Sequence, residues 1–260
     1  MRRSAIVLSV CLCLAASHAS GESNKEKELK AYLAGVTERG RALYAYDQAA
    51  WHGTDAFLAL HPDTNGLTNY ICRKTTSGWV VSFGKWNEAR DRFFLVYEAA
   101  ESGQPGEYQA RKLDPPMDAT SDLAAMERAL ELASADFPRA KRPYNSAVLP
   151  TPDGNFYVYL YPGQVKETVW PIGGDVRYII SADGRQIIEK RPLHKTILDI
   201  EYKPNSGVVG GVHTHILSDV PEDTDVLYVL NRRPLIPEYV GTETRSFIVS
   251  TDGTIVVQKK

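Results

Sequence analysis

Cysteine is scarce in this chain, which has three cysteines among 260 residues. Cys11 and Cys13 lie in an N-terminal segment that we expect to be removed, so Cys72 would remain alone. A single thiol cannot form an intrachain disulfide, and the mature fold must therefore depend on its core. Cys72 lies in the strand-like segment NYICRKT. An inert buried thiol is the simpler interpretation, and a reactive thiol is the alternative.

The chain also has no excess of positive charge. The chain carries 30 Lys and Arg against 32 Asp and Glu, a formal net charge of −2. Proteins that bind nucleic acid through bulk charge are basic, so this balance argues against a nucleic-acid partner. The content of 43% hydrophobic and 24% charged residues is ordinary for a globular protein. The length allows one large domain or two smaller ones.

Long hydrophobic runs are absent except at the N-terminus. There two arginines precede an apolar run over residues 5–16, and the sequence SHA, ending at Ala19, has the small residues of a cleavage site. The run is too short to span a bilayer comfortably. We predict a secretory signal peptide over residues 1–19, with export to the periplasm or the extracellular space. An uncleaved anchor is the alternative, and no membrane span is expected in the mature chain.

The N-terminal half reads as helix followed by sheet. Leu29, Leu33 and Val36 have helical spacing, and this helix, or a second one after it, continues to about residue 60. The segments LTNYICRKT, GWVVSFGKW, RFFLVYEAA and GEYQARKLD then predict an antiparallel meander. The break at DPPMDATSD predicts a boundary between an N-terminal α+β domain, residues 20–115, and a C-terminal α+β domain, residues 116–260.

The C-terminal half opens with a helix predicted over residues 121–137 and capped by Ser121 or Asp122. Strands then dominate. Asp-Gly turns at 152–154, 182–184 and 251–253 predict tight hairpins, because this dipeptide tolerates positive φ. The segment GVVGGVHTH predicts a strand, and a short helix is expected from Pro221. The fold class is therefore α+β, with antiparallel and mixed sheets and flanking helices.

Candidate metal ligands follow that last predicted strand. On a strand, residues i and i+2 point to the same face, so His213 and His215 present two imidazoles side by side. Asp225 lies in the first turn of the next helix. Two histidines and one carboxylate with an open fourth position form a catalytic zinc arrangement, which converts bound water into a nucleophile. Zinc is the predicted cofactor.

A simpler interpretation of the same residues stays open. His-x-His occurs by chance, and strand histidines often make local hydrogen bonds. Asp223 and Asp225 are also the acids expected at a helix N-terminus, where the helix dipole favours them.

The segment HTHILSDVPEDTDVLYVLNRRPLIPEYVGTETRSFIVSTDGTI resembles the core of the JAB/MPN metalloprotease superfamily. The family pattern is His-x-His-Pro, a short loop, Ser-x-x-Asp opening a helix, and then strands with an Asp-Gly hairpin. The resemblance covers roughly residues 205–260. It implies a JAB-like C-terminal half, with His213, His215 and Asp225 as the zinc ligands.

The segment also departs from that pattern. Ile216 stands where the family has proline, and Glu222 stands where it has the serine that supports the transition state. The family also requires an upstream glutamate as general base, and no motif selects one among Glu167, Glu189 and Glu201. Further candidate ligands are Glu222 and His194, although a histidine at a sheet edge is the simpler interpretation of His194.

Two functions from different classes follow. The first is an exported zinc-dependent, JAB-like hydrolase of peptide or isopeptide bonds, with no catalytic residue assigned beyond the ligands. The second is a non-enzymatic exported binding, inhibitor or immunity-type protein on a degenerate JAB-like scaffold. Either would act on a protein or peptide partner that the sequence does not identify.

Overall fold

The computed structural model describes residues 23–138, 141–203 and 207–258. The predicted signal peptide lies outside these residues. The long helix α1, Asn24–Leu58, begins at a capping box in which Ser23 and Glu26 exchange hydrogen bonds. It continues through all three of its glycines. A Cβ at Gly40 would lie 2.4 Å from Cβ of Val226, and one at Gly53 would lie 2.4 Å from Cγ2 of Val81. Two of these glycines therefore allow close packing and do not end the helix.

The predicted meander is confirmed as a four-stranded antiparallel sheet, which we call the N-terminal sheet. Its strands, in spatial order, are β1 (Tyr70–Thr75), β2 (Gly78–Trp86), β3 (Phe93–Glu101) and β4 (Tyr108–Asp118). Helix α2, Ser121–Asp136, follows at the predicted place. Its N-cap is Thr120, whose hydroxyl accepts a hydrogen bond from the backbone N–H of Leu123, so the predicted caps Ser121 and Asp122 lie inside the helix.

Two further antiparallel sheets follow. The middle sheet has the order β5-β6-β8-β9, with β5 at Tyr144–Pro150, β6 at Phe156–Pro162, β8 at Val176–Ile180 and β9 at Ile187–Pro192. A two-stranded sheet pairs β7 (Val169–Ile172) with β10 (Leu198–Glu201).

The C-terminal sheet is mixed. It has the order β11-β12-β13-β14, and β11 runs parallel to β12 while the other pairs are antiparallel. The strands are β11 (Gly211–Thr214), β12 (Glu238–Gly241), β13 (Ser246–Val249) and β14 (Ile255–Val257). Helix α3, Asp223–Asn231, connects β11 to β12. The predicted Asp-Gly turns end at Gly154, Gly184 and Gly253, each with φ between +76° and +83°.

The described residues therefore form an α+β fold with two apolar cores. The larger core packs the C-terminal half of α1 and α2 against the N-terminal and middle sheets, and its side chains come from both sides of residue 115. The smaller core packs the N-terminal half of α1 and α3 against the C-terminal sheet. The predicted domain boundary at 115/116 stays a prediction. Although α1 is long, neither it nor any other helix in the described part of the chain carries enough apolar sequence to cross a bilayer.

Candidate metal centre

The first two candidate ligands are placed by β11 and its continuation. His213 lies within β11, and the backbone N–H of His215 donates to the carbonyl of Gly241, which extends the parallel pairing by one step. Both histidines are buried, whereas Thr214 between them is exposed. This is the alternation that a strand with one buried face imposes.

Four residues from three separate segments converge here. They are His194, which follows β9, His213 and His215 at β11, and Asp225 in the first turn of α3. Each offers a ligand atom, and these atoms all lie within 4.8 Å of one another, so the group could hold a metal ion. Structure thus brings together the three predicted ligands and the further candidate His194.

The distances match a single coordination shell. Nε2 of His215 lies 2.9 Å from Nε2 of His194 and 3.0 Å from Nε2 of His213. The carboxylate of Asp225 lies 3.1 to 3.2 Å from the three Nε2 atoms. Zinc bonds of 2.0–2.1 Å in a tetrahedron separate neighbouring ligand atoms by about 3.3 Å. The four groups therefore need only small adjustments to surround one ion.

The other ring nitrogens determine which nitrogens are free to bind. Nδ1 of His194 lies 2.8 Å from the carboxylate of Asp175, and Nδ1 of His213 lies 2.8 Å from that of Glu238. Nδ1 of His215 lies 3.0 Å from the carbonyl oxygen of Val220. Ionised carboxylates and carbonyls only accept, so each Nδ1 donates, and in a neutral ring the lone pair is on Nε2. All three lone pairs consequently point at the same centre.

The charge balance of the cluster requires positive charge between these atoms. Asp225 is fully buried, and its Oδ1 receives no hydrogen bond from the described residues. Burial alone raises the pKa of Asp225, but His194 and the two other histidines outweigh it and hold that pKa well below its usual range. Burial lowers the pKa of His194, yet the carboxylates of Asp175 and Asp225 raise it to about 11. Protons can supply the positive charge, and so can a divalent cation, which displaces them.

Glu238 is itself held in place by a buried arginine. The guanidinium of Arg232 pairs with its carboxylate and also donates to the carbonyls of Ile236 and Pro237, at 2.7 and 2.8 Å. Arg232 is completely buried. Carboxylates that orient histidine ligands in this way fix the ring and increase its basicity.

The remaining acids near α3 have other roles. The carboxylate of Glu222, a further candidate ligand, pairs with Arg191 and lies outside the cluster, while its backbone N–H donates to Asp225 at 2.7 Å. Asp223 accepts from Arg39 and Arg177, at 3.0 and 2.8 Å. Asp223 is therefore part of a structural ion pair, whereas Asp225 makes the capping hydrogen bond that the simpler interpretation predicts.

The three glutamates available as a general base are not members of the cluster. Glu167, Glu189 and Glu201 are all exposed. The carboxylates that the structure does place against the histidines, those of Asp175 and Glu238, were missed from the sequence. They lie 19 and 25 residues from their histidines, and no local motif links them.

Comparisons with protein-family models, with curated proteins and with solved structures found no match. The resemblance to the JAB/MPN superfamily is therefore neither supported nor opposed by them.

Proposed function

We propose that this chain is an exported zinc-binding protein that holds the ion through His194, His213, His215 and Asp225. The observation that carries the proposal is the convergence of three Nε2 lone pairs and one buried carboxylate, at 2.9 to 3.2 Å. Imidazole and carboxylate ligands at tetrahedral spacing suit zinc, which has no geometric preference of its own. Export rests on the sequence of residues 1–19.

The donor set supports a non-enzymatic role best. Structural zinc sites use four protein ligands, whereas catalytic sites use three and leave one position for water. Here four side chains would supply all four ligands. The carboxylates behind two of the histidines, Asp175 and Glu238, each accept a hydrogen bond from the ring, which orients that ring toward the ion. The ion would stabilise α3 and the C-terminal sheet of a binding, inhibitor or immunity-type protein.

A JAB-like zinc hydrolase of peptide or isopeptide bonds is the second candidate, and two observations favour it. The first is the motif resemblance of residues 205–260. The second is an open groove of about 600 Å³ that reaches His215 and is bordered by Thr214, Ser218, Thr242 and Glu243. In this hydrolase His213, His215 and Asp225 would bind zinc, and His194 would leave the fourth position to water.

Metal content tests the main proposal. Mature protein purified without an affinity-tag metal is expected to contain one zinc per chain by elemental analysis. X-ray absorption should show four nitrogen or oxygen ligands at about 2.0–2.1 Å, most of them imidazole. Protein that neither contains zinc nor binds added zinc would refute both candidates.

The variant His194→Gln distinguishes the two candidates. A four-ligand structural site should lose zinc affinity and thermal stability, and it should show no hydrolysis in either form. A catalytic site should keep its zinc in the variant, and the wild type should cleave peptide or isopeptide-linked substrates. His61→Gln is the matched control, because His61 is exposed and lies outside the cluster.

A further inference from the structure

A second site lies beside the metal centre. A cavity of about 550 Å³ opens between the C-terminal half of α1, strands β6 and β7, and α3. This size falls within the usual range for small-molecule pockets. The motif YDQAAWHGTDAF of α1 supplies one wall, through Asp47, Trp51, Thr54 and Asp55. Neither zinc candidate accounts for it.

Asp47 is a half-buried carboxylate without a cationic partner among the described residues. It accepts hydrogen bonds from the hydroxyl of Tyr161 at 2.6 Å and from Nδ2 of Asn231 at 2.8 Å, both neutral donors. Burial raises its pKa, and these hydrogen bonds offset burial only in part. Asp223, by contrast, is paired with two arginines. A carboxylate that loses part of its hydration is costly to ionise unless a cation accompanies it.

The other lining groups also favour a cation. Asp55 adds a second carboxylate to the wall, while Asp175, which also lines it, already pairs with His194. The one lining residue with a cationic side chain among those described is Arg233. Thr224 is buried, and its hydroxyl has no hydrogen-bond partner in the described residues, so a polar atom is available inside the cavity.

Aromatic rings complete the cavity. Trp51 lines it while remaining 59% exposed, and Trp170 also contributes to the wall. Elsewhere in the fold, arginine or lysine lies over the rings of Trp86, Tyr157 and Tyr178. No such side chain in the described ranges lies over Trp51 or Trp170. One face of the Trp51 indole is stacked on the ring of His52, with 4.9 Å between the ring centroids. Its other face is available to a ligand cation, which it attracts through the ring quadrupole.

We propose that this cavity binds a small organic ammonium ligand, such as a polyamine or a lysine side chain, with Asp47 as the countercharge and Trp51 at the rim. The neutral contacts of Asp47 with Tyr161 and Asn231 hold the carboxylate in place. Gln48 supports this arrangement, because its Nε2 donates to the Asn231 side-chain oxygen at 2.9 Å. The inference does not depend on the zinc proposal.

Calorimetry and NMR titration of the full mature chain test it. Spermidine, choline and Nα-acetyl-lysine amide are the cationic probes, and N-acetylglucosamine is the neutral probe. We expect cations to bind and the neutral sugar not to bind. Asp47→Asn keeps the shape of the side chain and should reduce the affinity about tenfold or more, the effect of losing a charged hydrogen bond. Glu88→Gln is the control, because it removes one exposed negative charge from a residue that does not line the cavity.

Trp51→Ala provides a second test, because an exposed side chain can be removed without risk to the fold. It should weaken the binding of choline severalfold, as expected when a cation–π contact is lost. The proposal is overturned if the three cations fail to bind at millimolar concentration, if the sugar binds as tightly as they do, or if Asp47→Asn binds them like the wild type.

Discussion

The two cores of this protein bury different kinds of side chain. The larger core is mainly apolar, with Leu43, Phe57 and Tyr178 among its members, although Glu127 of α2 is fully buried beside it. The region around the smaller core buries charged groups as well, including Asp225 and Arg232. Apolar burial stabilises a fold without any ligand, whereas buried charge stabilises it only when every charge is paired. The comparison teaches that the C-terminal region depends on its charge network, which the proposed ion would complete.

Loss of a ligand should have the largest effect. His213→Ala and Asp225→Ala are each expected to abolish stoichiometric zinc, because the ligands act as a unit and their effects do not add. Breaking such a buried network should also cost about 3–5 kcal/mol of stability. Elemental analysis and thermal melting measure both effects. Thr214→Val and Asp219→Ala are the controls, since these exposed neighbours lie outside the cluster. Full zinc content in either ligand variant would contradict the site.

Chelation should distinguish the two regions directly. An ion present at a hundred times its Kd stabilises the folded state by about 2.7 kcal/mol, and its removal should lower the melting temperature accordingly. Hydrogen exchange followed by mass spectrometry should show that chelation increases the exchange rate more in α3 and β11–β14 than in β1–β4. An equal increase in both regions would show that they unfold together, and the proposed difference between them would then be wrong.

A smaller effect on zinc affinity is expected when Glu238, whose carboxylate accepts the hydrogen bond of His213, is replaced. Glu238→Gln can still accept the Nδ1–H hydrogen bond, but it leaves Arg232 without a countercharge. Substitutions of this kind typically reduce metal affinity 10–100-fold. Competition with a chromophoric chelator measures the change. Glu243→Gln, at an exposed position after β12, should bind zinc like the wild type. Equal affinities in the two variants would show that Glu238 does not support the ligand.

Replacing Cys72, a residue of the larger core, should have the smallest effect on stability and zinc content. Cys72 is 2% exposed, and burial raises the pKa of its thiol, so the native protein should not react with thiol reagents. Cys72→Ala should cost about 1 kcal/mol and leave zinc content unchanged. Rapid labelling of native protein, or a mixed disulfide on a non-reducing gel, would favour the reactive-thiol interpretation. A change in zinc content would show that the two regions are coupled.

Local patterns predicted much of the fold. Aromatic and β-branched runs separated by short turns predicted the N-terminal sheet, and Asp-Gly turns predicted the hairpins, because both depend on neighbours in sequence. The continuous course of α1 was harder to predict. Gly40 looks like a helix breaker in isolation, and its purpose is visible only where Val226 packs against it.

The residues of the candidate site also fall into two groups, those that local sequence predicts and those that only the tertiary structure brings together. The side-by-side arrangement of His213 and His215 follows from the period of a strand, and Asp225 follows from the start of the next helix. These are properties of adjacent residues, so the sequence by itself determined them. The placement of His194 as a fourth ligand, and of Asp175 and Glu238 behind the histidines, was decided only by the tertiary structure. The physical reason is that their proximity depends on how β9, α3 and the C-terminal sheet pack together, which no local period encodes.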